Sequence, residues 1–110
     1  MSKLATVEKL IALYNAQDAD AYAAMFTEQG SEAGYRGDVL REGREGVRAG
    51  LKAMFAQFPE NRADIKASYE LGDYVVLHEE VCRSPETAPF EVVSIYSFEN
   101  ELIERVEFVK

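Results

Sequence analysis

A chain of 110 residues, 47% of them apolar, can bury one core but not two, which predicts a single domain and excludes a disordered chain. Its 20 acidic against 12 basic residues leave a net charge of −8, which repels phosphate backbones and anionic bilayers and sets aside nucleic acid and membranes as partners. One cysteine, Cys82, and one histidine, His78, exclude an intrachain disulfide and a Cys/His metal centre, and a lone thiol fits a reducing, cytoplasmic setting.

The first fifteen residues include Lys3, Glu8 and Lys9 within an apolar pattern. This breaks a signal-peptide core, and no stretch approaches the roughly 20 apolar residues of a membrane span. Leu4, Val7, Leu10, Ile11 and Tyr14 recur at helical spacing and predict a first amphipathic helix. Asp18 is placed to cap a second, short helix with Tyr22, Met25 and Phe26 on its buried side. Gln29–Tyr35 reads as a short strand weakened by Gly30 and Gly34, and Val39–Glu42 as another. A third helix is predicted from near Arg44. Its acidic first turn suits the helix dipole, and Val47, Leu51, Met54, Phe55 and Phe58 form its apolar face before Pro59 ends it.

The period then changes from helical to alternating. Ala63, Ile65, Ala67, Tyr69 and Leu71 alternate with polar residues and predict a half-buried strand. Gly72-Asp73 turns the chain into a strand over 74–83, a loop covers 84–89, and a third strand runs over 90–98. The polar turn Glu99-Asn100-Glu101 leads to a last strand over 102–109. The middles of strands 74–83 and 90–98 are apolar on both faces. They need two covers, the helices on one side and, as expected from the pattern, a second copy of the chain on the other.

The residues that could carry chemistry are few. His78 sits mid-strand, and its ordinary pKa suits it to give and take protons at neutral pH, which makes it the catalytic candidate. By alternation His78 shares a face with Val76 and Glu80, while Leu77, Glu79 and Val81 share the other. The competing reading places the imidazole at the dimer sheet. Tyr14, Tyr35 and Tyr96 offer apolar bodies with polar tips for a small oxygenated ligand. Phe26, Met54 and Phe58 are pocket-wall or core residues, and Ser94 offers a weak donor. Cys82 has no basic neighbour in sequence and reads as an inert thiol. Arg36, Arg41, Arg44 and Arg48 form a local basic group that could meet an anionic ligand, though its expected use is pairing with Glu42 and Glu45.

The segments YNAQDADAYAAMF, REGREGVRAGL, LGDYVVLHEEV and VVSIYSFENELIERVEF, in that order, resemble the successive blocks of the nuclear transport factor 2-like superfamily, in its SnoaL-like and steroid delta-isomerase-like branch. The resemblance covers nearly the whole chain and implies one SnoaL-like domain over 1–110. It implies an α+β fold in which three N-terminal helices pack on a strongly curved, mainly antiparallel sheet, forming a cone with an internal pocket (cystatin-like) and often a sheet-to-sheet homodimer. Ketosteroid isomerases in that superfamily use a tyrosine on the first helix, a base aspartate on the first strand and a neutral acid on a later strand. The resemblance places those positions at Leu10, Gly34 and Ser94, none of which moves a proton, so standard delta-isomerase chemistry is not expected. The aspartate of SnoaL-type cyclases falls on Phe108, or on Glu107 with a shift of one residue.

Three functions follow. One is an isomerase, cyclase or dehydratase acting on a small apolar oxygenated molecule, with His78 as acid/base and Tyr14 or Tyr35 as donor. It needs no cofactor, because proton transfer beside a carbonyl needs only a base and an oxyanion partner. The second is a pocket that binds without chemistry, and the third a dimeric interaction domain.

Overall fold

A computed structural model describes residues 2–110. Helix α1 (Lys3–Asn15) starts at Ser2, whose hydroxyl accepts from the Ala5 amide at 3.0 Å. Helix α2 (Ala19–Ala24) starts at Asp18, which accepts from the Ala21 amide at 3.0 Å, the cap its sequence position predicts. Strands β1 (Phe26–Gly34) and β2 (Val39–Glu42) precede helix α3 (Gly43–Gln57). Strands β3 (Arg62–Leu71), β4 (Tyr74–Cys82), β5 (Phe90–Glu99) and β6 (Leu102–Val109) complete the chain.

The six strands form one sheet in the order β2-β1-β6-β5-β4-β3. All neighbours are antiparallel except β1 and β6, which run parallel. The mixed α+β arrangement, with helices on one face of a curved, mainly antiparallel sheet, is the one expected. Val7, Leu10 and Ile11 of α1 and Val47, Leu51 and Phe55 of α3 bury against Val75, Leu77, Val92, Tyr96, Ile103 and Val106 of the sheet. The amphipathic stripes thus find their partner on the inward-facing half of each strand.

Strand β1 begins at Phe26, three residues earlier than the expected boundary at Gln29. Phe26 therefore belongs to the strand and not to the second helix. It is fully buried, 5.6 Å from the Tyr22 ring. Gly30 was expected to weaken this strand, and packing explains its presence. A Cβ there would lie 2.8 Å from the Ile103 carbonyl oxygen, so only glycine lets β1 pass β6, where their register shifts between Phe26 and Ser31.

The basic group follows the expectation only in the Arg48–Glu45 pair. Arg41 pairs with Glu32 at 2.7 Å, not with Glu42. Arg44 donates twice to the Phe26 carbonyl, at 3.0 and 2.7 Å. Arg48 reaches Asp20 and Glu45.

Two side chains pin the end of β3 beneath the helices. Asn15 donates to the Ala63 carbonyl at 2.9 Å and accepts from its amide at 2.8 Å. Gln17 donates to the Pro59 carbonyl at 2.7 Å. Among the described residues no element covers the sheet's other face. Tyr69, Leu71 and Tyr74 stand exposed there, beside half-buried Val76, Val93 and Ile95. Among the described residues no helix is long and apolar enough to cross a membrane.

Candidate functional site

A cavity of about 110 Å³ opens between the helices and the sheet. Strand alternation decides what lines it. On β4 the inward register carries Leu77, Glu79 and Val81 and continues past the strand end to Arg83. On β5 it carries Phe90, Val92, Ser94 and Tyr96. Helices α1, α2 and α3 contribute Tyr14, Tyr22, Leu51 and Met54. The floor is buried, with Glu32, Tyr96, Tyr22 and Glu79 all 5% exposed or less. The rim holds Leu40, Arg83, Phe90, Phe108 and Lys110.

Two carboxylates sit in this floor, and each has its own partners. Glu32 accepts from the Tyr22 hydroxyl at 2.7 Å through Oε2 and from Arg41 Nη1 at 2.7 Å through Oε1. Arg41 stands directly opposite Glu32 in the β1–β2 ladder. It lies over Gly50 of α3, where any Cβ would overlap its side chain. Glu79 accepts from the Ser94 hydroxyl at 2.7 Å through Oε2.

Burial pushes the Glu79 carboxyl above its ordinary value. The Ser94 hydrogen bond opposes that rise, and the charge on Glu32 adds to it. Tyr22 and Tyr96 are pushed well above the ordinary tyrosine value, first by burial and then by these carboxylates. Both phenols therefore stay protonated at physiological pH, and Tyr22 donates to Glu32. A carboxyl driven toward its neutral form, beside phenols that keep their protons, can exchange a proton with a bound molecule and hydrogen-bond its oxygen.

The rim is organised by Arg83. Its Nη1 donates to Asn61 Oδ1 at 2.9 Å, to Met54 Sδ at 3.1 Å and to the Tyr14 hydroxyl at 3.3 Å. Its guanidinium lies over the Phe90 and Phe58 rings, 5.1 and 5.7 Å from their centroids.

The expected site residues separate into groups. Tyr14, Met54 and Tyr96 line the cavity. Ser94, fully buried, lies behind it and orients Glu79. Phe26 is core, and Phe58 packs against Arg83 outside the lining. Tyr35 is 51% exposed and borders an adjoining depression that shares Leu40, Phe108 and Lys110 with the cavity's rim.

The structure places His78, read either as the catalytic residue or as a residue of the dimer sheet, outside this cavity. The helices cover the Leu77–Glu79–Val81 face, which puts His78 on the opposite face. There its Nε2 meets Glu91 Oε1 at 2.6 Å. The partner is Glu91 on the neighbouring strand, because the antiparallel ladder sets His78 opposite Val93, two residues from Glu91 on the same face.

The residues that the sequence reading left out are Glu32, Tyr22, Arg41, Glu79 and Arg83. Glu79 had a legible signal, a carboxylate between two apolar residues of one strand face. The others come together only through strand pairing and helix packing. Three of the pocket groups adjoin places where the isomerase pattern fell on inert residues. Tyr14 lies one turn beyond Leu10, Glu32 shares a strand face with Gly34, and Glu79 is held by Ser94. Phe108 lines the cavity, while Glu107 pairs with Arg105 at 3.7 Å. Among the described residues no cluster of three or more His, Cys, Asp or Glu is arranged to hold a metal ion.

Helices closing one face of a curved sheet over a cavity define a cystatin-like, nuclear transport factor 2-like fold. The chain belongs to the SnoaL-like domain family, whose sequence pattern matches residues 7–106. It is similar to an uncharacterized cystatin-fold protein from Novosphingobium aromaticivorans, with 49% identity over 100% of this chain and 99% of that one, at a TM-score of 0.95. It shares its fold with a putative polyketide cyclase from Sinorhizobium meliloti (17% identity, 99% and 100% covered, TM-score 0.80). The same holds for a ketosteroid isomerase-like-fold protein from Catenulispora acidiphila in complex with trimethylamine (18% identity, 96% and 84% covered, TM-score 0.78). Comparison with the curated proteins finds no match.

Proposed function

We propose that this chain is a small-molecule pocket protein performing cofactor-independent proton transfer, of the isomerase, cyclase or dehydratase type. Glu79 carries the proton, and Tyr96 donates to the oxygen of a small substrate. The observation that supports this is the pairing of a buried carboxyl, raised by desolvation, with protonated phenols around one cavity. The Tyr22–Glu32–Arg41 chain holds the opposite wall rigid, since every member has a partner at 2.7 Å. The role first expected of His78 passes to Glu79, which borders the cavity. A cavity of about 110 Å³ is well below the roughly 300 Å³ at which drug-sized ligands begin to fit, so the substrate is a molecule of few heavy atoms.

Hydrogen–deuterium exchange beside the carbonyl of small ketones, followed by NMR in D2O, tests this without knowledge of the substrate. The protein should accelerate exchange. Glu79→Gln should reduce the acceleration by about 10²–10⁴, the contribution of a general acid/base, and His78→Ala should leave it intact. Exchange that survives Glu79→Gln overturns the assignment. A second reading, binding without chemistry, draws on the three bonds of Arg83 across the rim. It requires small ketones to raise the melting temperature with no exchange at all.

The same reading includes a homodimer through the uncovered sheet face. Tyr69, Leu71 and Tyr74 are 69, 83 and 57% exposed there, and burying such apolar area is the usual drive for association. His78 and Glu91 then belong to the subunit interface.

A further inference from the structure

The rim and floor of the cavity carry opposite charge patterns, and their balance bears on the ligand. Five ionisable groups other than tyrosine line the cavity: Glu32, Arg41, Glu79, Arg83 and Lys110. Glu32 and Arg41 neutralise each other at 2.7 Å. Glu79 accepts from the Ser94 hydroxyl at 2.7 Å and pairs with no described cation. Arg83 and Lys110 are left over, because neither forms an ion pair with any described carboxylate.

Two unbalanced cations at one cavity are unusual in a protein of net charge −8, where acidic partners abound. Packing also brings them together. The Phe90 ring carries the Arg83 guanidinium at 5.1 Å and the Lys110 ammonium at 5.7 Å. The Lys110 ammonium is lowered from its ordinary value by burial and by the positive charges of Arg83 and Arg41.

Arg83 is also half used. All of its hydrogen bonds to described residues leave from Nη1, which fixes the plane of the guanidinium. Its Nε and Nη2 donate to no described residue. Two parallel N–H groups on one planar edge match the two oxygens of a carboxylate. The Asn61, Tyr14 and Met54 bonds would hold that edge in place before a ligand arrives, which lowers the ordering cost of binding.

We propose that the molecule taken by this pocket is a small carboxylic acid whose carboxylate sits at the rim between the free edge of Arg83 and the Lys110 ammonium, and whose uncharged body enters the cavity toward Glu79 and Tyr96. This rests on the small-molecule reading above and names its substrate class. The polarity follows from the same residues. The buried floor disfavours any added charge, and the cations without a carboxylate partner stand at the rim, so the ligand's charged end is the outer one.

The test compares acids with their uncharged isosteres on the whole chain. Crotonate and benzoate are titrated against crotonamide and benzamide, with binding followed by NMR and by the rise in melting temperature. The acids should bind at least about tenfold more tightly than the amides, a difference of about 1.4 kcal/mol. That preference should weaken as salt is raised. Arg83→Gln should bring the acid-to-amide ratio to near one. Lys110→Gln, at an exposed position, should lower the ratio about threefold, and it keeps the test open should Arg83→Gln not fold.

In the wild type, NMR titration of the Lys110 side chain should show its pKa rising when crotonate binds. Equal binding of acids and amides would leave the small-molecule reading standing and overturn the carboxylate proposal. Binding of neither class would overturn both. Inorganic phosphate displacing crotonate at equal concentration would show a general anion site and overturn the assignment to carboxylic acids.

Discussion

Glu32 is the most consequential buried charge in the fold, and removing its partner tests how the pocket wall is held. Its side chain is 1% exposed, whereas Arg41 is 27% exposed. Arg41→Met keeps the aliphatic stem over Gly50 and removes the guanidinium. Stripping one member from a buried ion pair typically costs about 3–5 kcal/mol, because the other charge stays buried and uncompensated. Arg41 is partly in water, which weakens its attraction, and Tyr22 still donates to Glu32. The expected loss is therefore about 2–3 kcal/mol, or roughly 8–12 °C in melting temperature at about 4 °C per kcal/mol for a chain of this size.

Urea unfolding at one fixed protein concentration measures it, with the slope monitored so that a change in midpoint reports stability. Glu32→Gln keeps a side chain able to bond Tyr22 and should cost less, about 1–2 kcal/mol. The double variant should recover part of the sum, with a coupling energy of about 1–2 kcal/mol. An Arg41→Met loss under about 0.5 kcal/mol, or additive singles, would refute the account of Glu32 as a charge held by Arg41.

Other outcomes follow from the same structure. Gly50→Ala should gain about 1 kcal/mol from helix propensity alone, yet its Cβ displaces Arg41, so a net loss of about 1 kcal/mol is expected in urea, and net stabilisation refutes that close approach. Leu51→Ala, at 1% exposure, should cost about 2–4 kcal/mol, and a loss under about 0.5 kcal/mol means that the helix faces otherwise. Glu79 has a raised folded-state pKa, so between its unfolded and folded values the native state holds more protons and stability falls as pH rises. Glu79→Gln should flatten that mildly acidic window of the stability profile, and an unchanged slope there excludes Glu79 as its source. Light scattering after size exclusion should report twice the 12.3 kDa chain mass at tens of micromolar, and a strict monomer rules out the sheet-face dimer.

Much of the fold was legible in local patterns. The helical spacing of Val47, Leu51 and Phe55 identified the covering helix and its buried face. The Asp18 cap, the turn at Gly72-Asp73 and the strand limits near 62–71, 74–83, 90–98 and 102–109 depend on neighbouring residues and were read correctly within a residue or so. Strand β1 was harder to read, since Gly30 lowers its strand signal for a reason located in β6, more than seventy residues away.

The sequence by itself determined that His78 and Glu79 lie on opposite faces of one strand, because side chains alternate with a period of two. It did not determine which face turns inward, since alternation is satisfied equally by either choice. Tertiary packing decided that when α1 packed on β4 and the core closed over Leu77 and Val75. It thereby placed Glu79 in the cavity and His78 outside. The remaining site groups were likewise assembled over distance. Glu32 meets Arg41 through the β1–β2 ladder and Tyr22 through the fit of α2 on β1, and Arg83 finds Tyr14, sixty-nine positions earlier in the chain. A local reading identifies the side chains capable of chemistry, but only burial and long-range pairing raise the Glu79 carboxyl and orient the free edge of Arg83, because both depend on what the rest of the chain excludes from water.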